Sequence, residues 1–195
     1  MKTRDRILAG ALVLFNEEGA SGLSAVDIAS ALSISPGHLY YHFKGKAQII
    51  ATLFDAYEGE LALVLEGAIA DLARPKAGLA DLHVQIQILL EEAHDVRFLF
   101  REAGALATAI PDLAPRYRRV LAGQRGGVAV MLEALAARGV LAATPEAIVS
   151  LARDVTLGLA FKLTQLDLEG DAGPPRAQIA RAAAEIMSQV TALAT

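Results

Sequence analysis

Apolar residues recur three and four positions apart along almost the whole chain, and period-two alternation of β-branched residues is sustained nowhere. The first spacing lays apolar groups along one stripe of a helix, whereas alternation would mark half-buried strands. Such stripes must be buried against other helices, so the fold class expected is all-α. With 195 residues, 54% of them apolar, the chain can enclose one or two compact cores.

Local punctuation divides this pattern into about nine helices. The first covers roughly residues 2–18, with Ile7, Leu8, Ala11, Leu14 and Phe15 on its apolar side, and stops at Gly19, which suits a left-handed cap. Ser24, three residues before Asp27, opens a short helix over AVDIASAL that should bury Ile28, Ala31 and Leu32. Ser33 and Ile34 make a tight turn; Ser35 then serves as N-cap and Pro36 as first residue of a third helix over about residues 36–43. A long helix follows from about Lys46 to about Leu72, with Ile49, Ile50, Leu53, Phe54, Tyr57, Leu61 and Leu65 along one side, and ARPKAG breaks it. Residues 78–107 read as one or two helices, Pro111 and Pro115 interrupt, and the stretch from Arg116 is helical as far as Gly139. Thr144, Pro145 and Glu146 supply a cap, a proline and an acid for a helix reaching about Leu168, EGDAGPP is a loop, and the last helix fills about residues 175–192.

Composition narrows the class of protein. There is no cysteine, which removes disulfides, thiolate metal sites and cysteine nucleophiles together. Cations precede an apolar stretch at the start, as in a secretion signal, but the amphipathic spacing and Asn16-Glu17-Glu18 in place of a small-residue cleavage site read as a helix. No uninterrupted apolar run approaches the roughly 20 residues that span a bilayer. The expectation is a cytoplasmic protein with no membrane partner. Residues 1–46 hold five Lys/Arg (Lys2, Arg4, Arg6, Lys44, Lys46) against four acids, in a chain of net charge −4, and those cations sit at the two ends of the segment.

Within that segment lies SPGHLYYHFKGK, residues 35–46, where aromatic, imidazole and ammonium groups crowd together. Two short helices joined by a tight turn, the second opened by Ser-Pro, form a helix-turn-helix candidate. Ile28, Ala29, Leu32, Ile34, Leu39 and Phe43 fit its inward positions; Ser35, Pro36, Gly37, His38, Tyr40, Tyr41, His42 and Lys46 lie outward. Hydroxyls, an ammonium and helix N-terminal amides are donors for phosphate oxygens.

The pieces RDRILAGALVLFNEEGA, LSAVDIASALSIS and GHLYYHFKGKAQII resemble the DNA-binding domain of the TetR family of bacterial transcriptional regulators almost end to end over residues 4–50. The resemblance implies a three-helix DNA-binding domain over residues 1–46 and a helical effector-binding and dimerisation domain over residues 47–195. It places Tyr40, Tyr41, His42 and Lys46 at phosphate-contacting or turn-bracing positions and Pro36, Gly37 and His38 where bases are touched. Lys2, Thr3 and Arg4 on the first-helix arm, with Ser24 and Ser35, complete the DNA-binding set. Two positions depart from the family pattern: Ser33 stands where the turn often has Gly, and the base-facing trio offers only His38 as a hydrogen-bonding side chain, with no bidentate Arg, Asn or Gln.

The remaining chain matches the family only in helix count and length. Phe54, Tyr57, His83, His94, Phe98, Arg101 and Phe161 are candidates for lining an effector pocket; an ordinary core with charged edges is the competing reading. Val155, Leu159 and Leu163, with Ile179, Ala183, Ile186 and Val190, form apolar stripes on the last two helices that the resemblance assigns to a homodimer interface. The function expected is a ligand-responsive homodimeric regulator, a repressor released from palindromic double-stranded operator DNA by a small lipophilic molecule. The alternatives are a DNA-binding regulator or scaffold without an effector, and an all-helical enzyme built on Asp81, Glu91, Glu92 and Asp95. The adjacent glutamates of that acid cluster point to different sides of a helix. No catalytic residue, metal or cofactor is expected; His38 and His42, four apart, lack a third ligand.

Overall fold

A computed structural model describes residues 3–170 and 173–195. Among the described residues there are ten helices and no strand, only an isolated antiparallel bridge between Leu141 and Ala194. The chain is all-α, as the spacing predicts. The helices are α1 (Thr3–Glu18), α2 (Ala25–Ala31), α3 (Pro36–His42), α4 (Lys46–Leu72), α5 (Leu79–Asp95), α6 (Arg97–Arg101), α7 (Ala103–Ala109), α8 (Leu113–Ala137), α9 (Pro145–Leu168) and α10 (Pro175–Thr191).

The stops act through the predicted residues. Gly19 and Gly139 take positive φ, 84° and 72°, beyond the ends of α1 and α8. The Thr144 hydroxyl accepts from the Ala147 amide at the start of α9, with Pro145 in the first turn. Two boundaries differ. Residues 79–109 make three helices, because the backbone leaves helical geometry at Val96 and again at Glu102, neither marked by Gly or Pro. And α8 begins at Leu113, ahead of Pro115; proline is tolerated there because a first-turn N–H has no intrahelical acceptor to lose. By length and composition α8 is also apolar enough to cross a membrane, but Arg116, Arg118, Arg119, Arg125 and Glu133 interrupt it, so it holds no continuous apolar run of that length. Its Val128, Met131, Leu132 and Leu135 are buried in the protein core.

The helices pack as two compact units. The first comprises Met1–Gly59 and Asp95–Arg116, and the second Glu60–His94 and Tyr117–Thr195. In the first, Ile7, Phe15, Ile28, Leu39, Phe43, Ile49 and Phe98 form the core. In the second, α9 packs on α10. Val155, Leu159, Ile179, Ala183, Ile186 and Val190 are all buried there within one chain. These six were expected to face a partner protomer; their stripes instead close on each other, and only Leu163 keeps partial exposure. Gly158 makes the close approach possible, since a Cβ at that position would lie 2.7 Å from Ile186 Cγ1.

Replacing Gly158 with Leu should therefore force the two helices apart and cost about 1–2 kcal/mol, the overpacking penalty exceeding the gain in helix propensity. A urea midpoint equal to or above that of the wild type would show that the seam has slack.

Candidate nucleic-acid interface

The reading unit is assembled from caps. Ser24 and Asp27 form a reciprocal box: the Asp27 amide donates to Ser24 Oγ at 3.2 Å, and the Ser24 amide donates to Asp27 Oδ2 at 2.8 Å. Hydrogen bonds from the Ser24 hydroxyl and backbone hold the Asp27 carboxyl below its usual range. At the other end of α2 the Ile34 amide donates to Ala29 O and the Ser33 amide to Ser30 O, both at 3.0 Å. This pair of bonds is a Schellman closure, and it requires the residue after the cap to be left-handed. Ser33 sits there with φ 53°, the only non-glycine residue with positive φ among those described.

α3 begins at once. Ser35 Oγ accepts from the His38 amide at 3.1 Å, and Pro36 opens the helix. Leu39 and Phe43 are buried, with Ile28 and Ala29 of α2. Leu32 and Ile34 are half-buried, and Ala31, expected inside, is exposed in the last turn of α2. With Leu39 and Phe43 inward, Pro36, Gly37, His38, Tyr40 and Tyr41 face out; Tyr41 is 83% exposed and Tyr40 51%. The His38 and His42 rings stack at 5.4 Å, and Tyr41 meets His42 edge-on at 5.1 Å, which stiffens this face. A Cβ at Gly37 would meet no atom within 4 Å, so backbone at the helix start is open to close approach.

The cations divide into two groups. Lys46 Nζ donates to Ala20 O at 2.6 Å and Ser21 O at 3.3 Å, so it braces the α1–α2 loop. Arg4 is exposed with its guanidinium 4.9 Å from the Phe43 ring centre, and Arg6 and Lys44 are also exposed. Thr3 is half-buried, and Lys2 lies outside the described residues.

Residues far along the sequence complete the unit. Glu102, between α6 and α7, accepts from the Ala20 amide at 2.6 Å and the Ser21 amide at 2.7 Å. Asn16 donates to Asp95 O at 2.7 Å and accepts from the Phe98 amide at 3.2 Å, while Arg101 donates to Asn16 O at 2.8 Å. Phe98 packs on Phe15 at 5.1 Å. Arg116, 12% exposed in its side chain, pairs with Asp55 and Glu58 at 2.7 and 2.5 Å and lies over Phe54 at 4.5 Å. Arg116 is therefore largely shielded from solvent and neutralised by two carboxylates. Asn16, Glu102 and Arg116 carried no sequence signal, because their partners lie tens of residues away.

The expected effector-pocket residues separate. Tyr57 meets Phe54 at 6.3 Å and Phe100 at 5.6 Å, all three buried in the first unit. Phe98 and Arg101 are spent on α1. In the second unit His83 and His94 are half-buried on α5, and Phe161 on α9 is exposed. Among the described residues no three His, Cys, Asp or Glu side chains form a metal-binding group.

Two family profiles match the chain: bacterial regulatory proteins of the tetR family over residues 7–53, and a bacterial transcriptional repressor domain over residues 56–195. The probable HTH-type transcriptional regulator YttP of Bacillus subtilis (strain 168) is 28% identical over 120 residues, 60% of this chain and 58% of its own length. The biofilm operon icaADBC HTH-type negative transcriptional regulator IcaR of Staphylococcus aureus (strain Newman) is 41% identical over 46 residues, 24% of this chain and 25% of its own. The chain thus matches well under two-thirds of the length of these relatives. A crystal structure of a TetR-family transcriptional regulator from Marinobacter aquaeolei VT8 superposes with a TM-score of 0.86 at 26% identity, covering 100% of this chain and 92% of that one.

Two outcomes test this construction. Ser33→Gly should stabilise the protein by about 1 kcal/mol, because glycine enters the left-handed region without the Cβ penalty; an unchanged or lower melting temperature would refute the strain. For Glu102, burial raises the carboxyl, but hydrogen bonds from the Ser21 side chain and the Ala20 and Ser21 amides, with Arg101 nearby, outweigh it and leave the pKa below its ordinary 4.5. The depressed folded value means this clamp contributes fully above pH 4.5 and is lost as pH falls below it. Glu102→Gln should cost about 1 kcal/mol at neutral pH, and the gap to wild type should close in acid denaturation curves below that point.

Proposed function

The chain belongs to the tetR family of bacterial regulatory proteins, and on that premise we propose that it is a homodimeric DNA-binding repressor released from its operator by a small molecule. The observation that carries the reading is the outward face of α3. Pro36, Gly37, His38, Tyr40 and Tyr41 are exposed on a helix whose opposite side is pinned by Leu39 and Phe43. A short rod anchored on one side and polar on the other fits the major groove, and its open N-terminus suits phosphate oxygens. In this reading Tyr40, Tyr41, His42, Ser24, Ser35, Thr3, Arg4 and Lys2 position the helix on the backbone, with Lys46 holding the loop behind it. His38 reads base edges, and DNA shape supplies the rest of the specificity.

Residues 1–46 form the reading domain and 47–195 the effector-binding and dimerisation domain; the two family profiles meet close to that boundary, between residues 53 and 56. Dimerisation falls to α9 and α10, on the faces their intramolecular seam leaves outside. There a depression of about 480 Å³ is lined by Leu157, Phe161, Lys162 and Glu185 among others, with Leu157 51% exposed and Lys162 paired to Glu185. Two copies present two recognition helices, and α4, unbroken from Lys46 to Leu72, carries the effector's influence to them. Both matched profiles and the named relatives are regulatory, which favours this reading over the enzyme alternative.

With Lys46 committed to the loop, Arg4, Arg6 and Lys44 remain as exposed cations in each half among the described residues. A dimer neutralising about six to eight phosphates should show log affinity falling with log salt at a slope between about −5 and −7. Gel shifts on DNA selected by the purified protein measure this, and a flat response refutes groove binding. In the same assay Tyr41→Phe should weaken all sequences alike by about fivefold, one hydrogen bond, whereas His38→Ala should lower discrimination between sequences.

A further inference from the structure

Gln124, on α8, is 0% exposed, and neither its amide nitrogen nor its amide oxygen has a hydrogen-bond partner. A primary amide brings two donors and an acceptor with two lone pairs, and burying both ends unpaired is costly. Other buried polar side chains of the second unit have partners. Gln85 donates to Asp71 at 2.8 Å, and the Thr156 hydroxyl donates to Ala152 O at 2.7 Å. Among the buried polar side chains described in the second unit, Gln124 alone has every one of its polar atoms unpaired.

A second observation concerns the helix around it. Gly123, Gly126 and Gly127 fall within one turn of Gln124, and each lowers helix propensity against alanine. Gly127 lies against α4, since a Cβ there would lie 3.0 Å from Leu65 Cδ2. The positions one turn to either side of Gln124, Val120 and Val128, are buried and apolar. The charged residues of α8 beyond Tyr117, namely Arg118, Arg119, Arg125 and Glu133, are all exposed. An ionised group beside Gln124 would find no counter-charge on this helix.

We infer that Gln124 is the polar anchor of a ligand site in the second unit, and that the ligand is an uncharged, mainly apolar molecule bearing one group that both donates and accepts hydrogen bonds, such as a primary amide or hydroxyl. The amide then gains the two partners it lacks, and the glycine-rich turn is the part of the wall that yields to admit the molecule. This rests on the reading that the protein answers to a small molecule.

The test uses the full chain, its Gln124→Met and Gln124→Leu variants, and octanamide, dodecanamide, octanol and octyltrimethylammonium as probes. Without probe, both variants should melt above the wild type, by roughly 2–4 °C, since the unpaired amide is gone. At least one neutral probe should raise the wild-type melting temperature and weaken binding to the selected DNA by about fivefold or more, the cation should do neither, and the variants should bind DNA normally yet ignore the neutral probe. Variants that melt lower than wild type, equal responses in wild type and variants, or no response to any neutral probe would each overturn the assignment. Loss of DNA binding by the wild type itself would sink the regulator reading instead, while the melting arm still decides the site.

Discussion

What α3 offers to a groove depends on where Leu39 and Phe43 go. Both are fully buried, and for a helix of only seven residues one inward anchor within it and a second at its C-cap fix the rotation of the rod. Tyr40 and Tyr41 then have nowhere to point but outward, and His38 stacks on His42 along the flank. So short a helix has little stability of its own. It persists because its start is capped by Ser35 and its underside is part of the core. The polar face is thus a by-product of apolar burial, which is why a chain with net charge −4 can present a DNA-compatible surface.

That burial is defended from behind by long-range polar contacts. The α1–α2 loop is gripped twice: Glu102 takes its Ala20 and Ser21 amides, and Lys46 takes the carbonyls of the same residues. An anion on the donors and a cation on the acceptors satisfy both sides of a loop that regular structure leaves unpaired. Asn16 plays a related part where α1 ends, bonding to the backbone of Asp95 and Phe98. The helix-turn-helix geometry therefore includes a segment some eighty residues away, as the separations of these bonds show. Any displacement of α6 or of the turn at Glu102 acts on the loop through charge-assisted bonds of 2.6 and 2.7 Å, a stiffer coupling than apolar packing alone.

The parts legible in the sequence are those whose causes are local. Ser24 with Asp27, Ser35 with Pro36, and Thr144 with Pro145 name helix starts because a cap and its amide lie within three residues. Apolar spacing likewise gave α4 its observed limits, Lys46–Leu72. Where the cause is distant, the reading fails in a patterned way. The stripes of α9 and α10 announce burial but do not say against what: Val155 and Ile186 are buried within one chain. The breaks at Val96 and Glu102 have no Gly or Pro; they coincide with tertiary bonds to Asn16 of α1 and to the α1–α2 loop. Arg116 gave no sign of its pairing, since Asp55 and Glu58 lie about sixty residues earlier.

The two units also differ in how consistently local and global preferences agree. Around the reading head nearly every choice is mutually supportive, with Ser33 in the left-handed region the exception, held by the two bonds of its Schellman closure. In the second unit α8 combines an orphaned amide with three nearby glycines in the middle of a long helix. A helix selected only for stability would carry Leu or Met at position 124 and Ala at 123 and 126, where nothing forbids a Cβ. Rule-breaking of this kind, concentrated in one turn and uncompensated within the chain, is what a site waiting for a complement looks like in free-energy terms.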